Sequence, residues 1–486
     1  MLNDIVTFIN DLLWNKGLSV LWESEDAIST VQVPILAVML VLGGLWFTFK
    51  LGFVQIRHFG HMFSIMKGSQ KSDKSGISSF QALCTSLSAR VGTGNLAGVA
   101  VAISLGGSGS IFWMWMIAIL GMATGFAESV LGQLYKVRDE NGEYRGGPAY
   151  YIQQGLNKRW LAVLFSLCLF LGYGFIFSAV QANTITDALN HAYDIPTQYS
   201  GLVIIVLAGL IVIGGFRAIA KFAEWIVPFM AVTYVLVALA ITFINIQLVP
   251  AMLYDIITSA FGLQEAGAGA LGAAIKNGIQ RGLYSNEAGS GSVPHAAAGA
   301  TPNPNHPVSQ GYVQMLGVFI DTMILCTCTA VVILLAGGSN GEQMEGIRLT
   351  QTAMSSHLGD FGGDFVAAAI SLFAFTSVVA NYAYGESNLH MFKLDNKIGR
   401  GVYTLGYLLM IFWGSKASLP QVWAMADMAL GLMTIINIIA IVWMTPTIVA
   451  ISKDYFIKRD RGERPEYSTG DCQIQGETET GIWDQK

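Results

Sequence analysis

Two runs of residues carry the chemistry of this chain. Arg90-Val91-Gly92-Thr93-Gly94-Asn95, followed by Gly98, interrupts one apolar segment. Arg281-Gly282-Leu283-Tyr284-Ser285-Asn286-Glu287-Ala288-Gly289-Ser290-Gly291-Ser292, before Pro294, interrupts another. Each helix-interior glycine costs about 1 kcal/mol relative to alanine, so such clusters mark places where a helix opens. An opened helix presents free amide N–H groups and the positive end of a half-helix, which suit a carboxylate. The carbonyls freed on the other half suit a dehydrated Na⁺. On this reading the amides of Gly92, Thr93 and Gly94 hold a carboxylate and Asn95 adds a side-chain amide. Gly94 and Gly98 also have the GxxxG spacing of a close helix–helix contact. Gly289, Gly291, Asn286 and Glu287 take the corresponding role in the second run.

Other polar residues sit where apolar ones are expected. Gln181, with Tyr173 two turns earlier, offers donors and an acceptor to a polar ligand, or an interhelical hydrogen bond. Thr376 and Ser377 can complete an oxygen shell for Na⁺, which takes hard ligands, or bond back to a carbonyl one turn earlier. Tyr284 either closes a pocket or is a core aromatic. Glu287 has three candidate partners: a substrate ammonium, a cation, or Arg281. Arg90, Glu128, Lys276 and Asp321 also lie within apolar segments and need pairing or hydration. Arg90 is either a fixed cation beside the first break or half of a buried pair with Glu128 or Asp321. Trp113, Trp115, Trp160 and Trp423 read as interfacial anchors.

The elements that must position these groups are membrane spans. Of 486 residues, 53% are hydrophobic and 12% charged, and mean hydropathy is +0.51. A soluble domain carries about 25% charged residues, so a water-soluble globule is excluded. Hydropathy divides the chain into eleven spans of about 20 residues each: 32–53, 80–105, 109–135, 159–189, 198–214, 218–245, 265–297, 308–337, 362–390, 400–414 and 420–448. Residues 1–31 read as an amphipathic helix and loop outside the bilayer core. Residues 449–486 form a tail, and 454–486 have too little apolar content to pack. Net charge is −5, which offers no basic surface to nucleic acid. Five cysteines with no paired spacing read as packing residues rather than a disulfide or zinc framework. The acidic first thirty residues do not resemble a cleaved signal peptide.

Basic residues set the expected orientation. With the loop after the first span cytoplasmic, twenty Lys and Arg fall inside and three (Lys16, Arg348, Lys416) outside. This places the N-terminus outside and the C-terminus in the cytoplasm. The broken spans open two blocks of five, 80–245 and 265–448, with 32–53 as an added helix. An odd number of spans per block forces opposite topologies, as in inverted-repeat secondary transporters. A channel would require a symmetric ring of carbonyls or charges, and an intramembrane enzyme a motif such as HExxH or GxSxG. Neither is present.

The runs GTGNLAGVA (Gly92 to Ala100), IQRGLYSNEAGSGSVPHAAA (Ile279 to Ala298), GVFIDTMILCTCTAVVIL (Gly317 to Leu334) and GGPAYYI (Gly146 to Ile152) resemble the alanine or glycine:cation symporters. These are a branch of the amino acid–polyamine–cation transporters with the leucine-transporter fold, and the resemblance covers roughly residues 32–450. It implies an all-α polytopic membrane protein with a 5+5 inverted repeat after one extra helix. The implied activity is Na⁺-coupled, in some members H⁺-coupled, uptake of a small amino acid across the cell (inner) membrane. No cofactor, enzymatic step, nucleic acid or obligate protein partner is implied; the partners are the amino acid, Na⁺ and the bilayer. By similarity the substrate carboxylate lies at Gly92 to Asn95, with Gln181, Tyr284, Ser377 and Asn381 lining the pocket. Na⁺ lies between the carbonyls of Ser88 and Val91 and the hydroxyls of Thr376 and Ser377. The family commonly reads Phe-Ala-Phe-Ser-Thr, two apolar residues, Gly-Trp, where this chain reads Phe373 to Asn381 with Asn in place of Trp. The pocket expected here is roomier and more polar, which brings glutamine, asparagine and serine beside alanine and glycine. Arg90 replaces what is often an uncharged residue.

Overall fold

The computed structural model describes residues 2–24, 27–67, 69, 71–73, 75–262, 268–338 and 346–484. Lys74 and Lys486 of the basic-residue count, Glu25 and Asp26 of the acidic N-terminus, and positions 265–267 of the seventh span lie outside the described residues. The chain begins with α1 (Leu2–Asn10) and a hairpin of β1 (Gly17–Ser24) and β2 (Ala27–Pro34) leading into α2 (Ile35–Lys50). Short helices α3 (Val54–Arg57) and α4 (Phe59–Met66) precede α5 (Ser79–Arg90). Next come α6 (Gly94–Gly106) and α7 (Gly109–Leu134). A small hairpin of β3 (Val137–Arg138) and β4 (Tyr144–Arg145) leads to α8 (Pro148–Gly155). Then follow α9 (Arg159–Tyr193), α10 (Thr197–Val212), α11 (Gly215–Ile244) and α12 (Val249–Ala260). The remainder holds α13 (Ala268–Asn286), α14 (Val293–Ala298), α15 (Pro307–Leu335) and α16 (Ile347–Leu358). Last come α17 (Asp360–Ser387), α18 (Lys397–Gly414), α19 (Leu419–Trp443) and α20 (Thr445–Asp460).

Among the described residues, six helices are long and apolar enough to cross a bilayer: α7, α9, α11, α15, α17 with its extension to Phe392, and α19. Shorter apolar helices α2, α6, α10 and α12 join them. The chain is thus a helical, polytopic membrane protein. The most apolar stretch of α19 is 78% buried and that of α11 only 28%, so α19 belongs to the centre and α11 to the rim. Helix α7 is the other central element, packing against α13, α14 and α15. Polar chemistry starts α5: Ser78 and Gln81 form a reciprocal capping box, satisfying two amides at the helix start.

Three expectations need correction. The segment after the N-terminal helix is an antiparallel hairpin, with Gly17 opposite Pro34, not a loop; Val20, Ile28, Thr30, Val31 and Val33 are residue types that favour strands. The span 420–448 ends at Trp443, and a separate helix begins at Thr445 with Pro446 in its first turn, where proline's missing N–H costs nothing. The tail packs: Tyr467 and Trp483 are 3% and 2% exposed. Trp483 donates to Leu134 O at 3.0 Å and lies 5.5 Å from Tyr467 between ring centroids. Average composition hid this because two aromatic anchors of about 150–250 Å² each are enough to tether a polar segment.

Candidate functional site

The first interruption opens where its glycines fall. Helix α5 ends at Arg90, Val91 is extended, and the chain re-enters helix through a π turn at Gly94–Gly98, a form enriched at functional sites. The freed amides are not empty. Gly92 N–H donates to Asn95 Oδ1 at 3.0 Å. Thr93 N–H and Thr93 O–H both donate to Gln181 Oε1, at 2.9 and 2.8 Å. One neutral amide oxygen from the middle of α9 therefore sits on two donors of the break. A Cβ at Gly92 would lie 2.4 Å from Ser377 Oγ and 2.6 Å from Gln181 Oε1, so a larger residue there would displace those two side chains. Gly94 serves a different contact, with Ser285 Cα 3.1 Å from where its Cβ would stand; it lets α6 approach α13.

Asn95 points away from Gln181. Its amide donates to Asp321 Oδ1 at 2.6 Å and Ser285 Oγ at 3.0 Å. Asp321 also accepts from Ser285 Oγ and Thr322 Oγ1, both at 2.8 Å. A fully buried carboxylate on α15 thus ties the first break to α13.

A cluster of hard oxygens lies beside Gly92. Ser377 Oγ is 2.8 Å from Ser88 O, 3.4 Å from Val91 O and 3.2 Å from Phe373 O. Ser88 Oγ donates to Thr376 O at 2.8 Å. The Thr376 hydroxyl bonds back to Phe373 O at 2.8 Å. Ser88, Val91, Thr376 and Ser377 are all buried, joining α5 to α17 through carbonyl and hydroxyl oxygens alone.

Between these groups is a nearly closed cavity lined by Ala89, Arg90, Phe177, Gln181, Tyr284, Glu287, Asn381 and Leu430. Its free volume of about 10 Å³ is roughly that of one water molecule. Asn381 Oδ1 and Tyr284 O–H are buried there without a hydrogen-bond partner among the described residues. Tyr284 packs at 4.7 Å on Trp423, and the Arg281 guanidinium lies 4.3 Å over the Trp423 ring. Arg281 is paired with Asp427 at 2.5 Å. Two expectations fall here. Trp423, 6% exposed, is part of the layer over the cavity rather than an interfacial anchor, whereas Trp160 is 67% exposed. Arg281 pairs with Asp427 and not with Glu287; a charge so deeply buried takes the partner its packing supplies.

The second interruption lies between α13 and α14, where Glu287, Gly289 and Gly291 adopt φ of 57°, 91° and 88°. Glycine adopts this left-handed backbone without strain. Gly289 N–H donates to Glu128 Oε1 at 3.0 Å. Glu128 Oε2 accepts from Asn437 Nδ2 at 2.7 Å, and that amide also donates to Gly289 O at 3.0 Å. Tyr151 O–H holds Asn437 Oδ1 in turn. Glu287 Oε2 accepts from Ser292 Oγ at 2.6 Å. Arg90 spans the two breaks: its guanidinium donates to Ser86 Oγ at 2.7 Å, Gln314 Oε1 at 3.1 Å and Asn286 O at 3.4 Å. It forms no direct pair with Glu128 or Asp321, contrary to one of the two expectations for it; oxygens of three elements satisfy its donors. Lys276 is tied to Asn15 Oδ1 at 2.5 Å. Glu128 and Asp321 were visible as acids within spans and Gln314, a neutral amide in an apolar segment, was missed; only their placement shows which break each serves.

A profile of the sodium:alanine symporter family matches residues 19–469. The Escherichia coli uncharacterized transporter YaaJ is 44% identical over 96% of this chain and 95% of its own length. The Bacillus subtilis probable sodium/glutamine symporter GlnT is 44% identical over 96% of this chain and 93% of its own. The Methanococcus maripaludis sodium/alanine symporter AgcS is 38% identical over 88% and 95%.

Proposed function

The chain belongs to the sodium:alanine symporter family, and from that premise we propose the substrate, ion site and transport cycle of this Na⁺-coupled amino acid symporter. It moves a small neutral amino acid, alanine or glycine, into the cell with Na⁺. Helices α5 to α11 form one five-span repeat and α13 to α19 the inverted second, preceded by α2. The N-terminus lies outside and the C-terminus in the cytoplasm, as the distribution of basic residues argues.

One observation carries the substrate site: two donors of the first break converge on a neutral side-chain oxygen, Gln181 Oε1. An amide oxygen in an anion seat yields to a carboxylate, because hydrogen bonds to a charged acceptor are about twice as strong. The arriving carboxylate takes the Gly92 and Thr93 donors, and Gln181 turns to present its own N–H groups. Asn381 Oδ1, an acceptor with no partner among the described residues, receives the substrate ammonium or a side-chain amide. Asn95 acts by positioning: it releases Gly92 N–H to the carboxylate while its own amide stays on Asp321. Na⁺ enters among Ser88 O, Val91 O, Thr376 and Ser377, one residue away from the carboxylate seat. Each ligand thereby stabilises the same opened backbone, which is a physical basis for coupling. The cavity is closed at this volume, so the layer of Tyr284, Trp423 and the Arg281–Asp427 pair must part on one side before substrate enters.

Glutamine is the second reading, favoured by Asn381 and by the similarity to GlnT, whose name specifies a sodium/glutamine symporter. Uptake of labelled alanine and glutamine into proteoliposomes, with an inward Na⁺ gradient or K⁺ in its place, tests both. Na⁺-driven alanine accumulation that cold glycine inhibits supports the first reading; glutamine accumulation without alanine supports the second; accumulation of neither overturns both. Asn381→Trp is expected to reduce competition by glutamine about tenfold relative to alanine, since one steric change in a pocket is worth about 1–3 kcal/mol. Unchanged competition removes Asn381 from the pocket.

A further inference from the structure

Away from the transport site, two surface depressions meet at one residue. The first is an apolar groove between α9 and α18, lined by Leu167, Phe170, Phe392, Leu394, Val402 and Tyr403 among others, and ending at Asn396. Leu167, Leu394 and Val402 are 54%, 48% and 68% exposed, so the groove opens toward the surface that faces lipid. The second is a polar pocket that also includes Asn396 and is lined by Arg138, Glu140, Arg159, Lys393, Asp395 and Glu479 among others. Of its acids, Asp395 accepts from His390 at 2.9 Å, Glu479 accepts from the Arg138 backbone N–H at 3.2 Å, and Glu140 is exposed. Arg159 and Lys393 are exposed and, among the described residues, have no carboxylate partner. Both line the polar pocket. Lys393 stands between Phe392 and Leu394, and Arg159 is about two turns along α9 from Leu167, on one face of the helix.

We propose that this composite site holds one anionic phospholipid, an acyl chain in the groove and the phosphate between Arg159 and Lys393. A soluble anion has no use for the groove, and a neutral lipid has none for two unpaired cations. Basic pockets between membrane helices at the headgroup level suit anionic lipids, each cation contributing about fivefold in affinity.

Native mass spectrometry of the full-length protein, delipidated in detergent and titrated with phosphatidylglycerol or phosphatidylcholine, reads the site directly. The expected result is one tightly held phosphatidylglycerol, preferred over phosphatidylcholine by about 25-fold. The double variant Arg159→Gln, Lys393→Gln should bring that preference below about threefold. Val402→Trp, which fills the groove at an exposed position, should weaken both lipids. Three results would each overturn the proposal: equal affinity for the two lipids, which indicates an unspecific annulus; an undiminished preference in the double variant; or phosphatidylglycerol displaced by excess inorganic phosphate, which indicates a free-anion pocket. Retention by Val402→Trp would also overturn it, by removing the chain from the groove.

Discussion

The two helix interruptions expose the same backbone groups and give them different partners. At the first, Gly92 and Thr93 N–H meet neutral amide oxygens of Asn95 and Gln181. At the second, Gly289 N–H meets the carboxylate of Glu128, itself braced by Asn437. Glu128 accepts at both oxygens, from Gly289 N–H and from Asn437, and so is fixed in place, whereas the bonds to the neutral Gln181 oxygen are ones an incoming carboxylate can replace. On the proposed reading the second break is a built-in joint and the first a seat. Arg90 lies between them, bonded to Asn286 O and to Ser86 Oγ.

Making the first break resemble the second is the strongest way to test this contrast. Gln181→Glu places a permanent carboxylate on Thr93 N–H and O–H. Uptake should fall about 100-fold, the equivalent of two charge-assisted hydrogen bonds denied to the substrate, with thermal stability retained. Wild-type uptake by a folded Gln181→Glu protein would end the account of the seat. The reverse change empties the joint. Glu128→Ala leaves Gly289 N–H and Asn437 unpaired and should cost about 3 kcal/mol, read as a lowered melting temperature in detergent, while Glu128→Gln keeps an acceptor and recovers most of it. Equal melting temperatures for wild type and Glu128→Ala would show that the joint is not a structural element. The smallest effect is expected beside the seat: Ser377→Ala removes one hydroxyl from the oxygen cluster. The Na⁺ concentration for half-maximal uptake should rise about tenfold, the worth of one ligand of about 1.4 kcal/mol, while the amino acid requirement at saturating Na⁺ stays within about twofold. An unchanged Na⁺ dependence would separate the ion from this cluster.

The interruptions themselves were legible because irregular backbone at membrane depth is tolerated only inside protein or along a cavity, and clustered glycines in an apolar run announce such backbone. The helix ends at Arg90 and Asn286 fall inside the two glycine-bearing runs. Gln181, Thr376 and Ser377 were legible as polar residues out of place, each with two available roles. Which role each plays depends on a neighbour far along the chain: Gln181 lies 88 positions from Thr93, and Ser377 lies 289 from Ser88. The N-terminal hairpin and the packed tail were missed for another reason. Their stability comes from cross-strand pairing and from two buried aromatics, neither of which an average over a window registers.

By itself the sequence determined the solvent and the places of weakness. Charge was too scarce to cover the apolar surface, and glycine marked where the backbone had to open. Only the tertiary structure decided the partners. Arg281 went to Asp427 rather than Glu287, and Arg90 to backbone and side-chain oxygens rather than to an acid. Glu128 closed the second break. A buried polar group bonds with whatever the packing of distant helices brings within about 3 Å, and that proximity is a property of the folded chain and not of any segment of it.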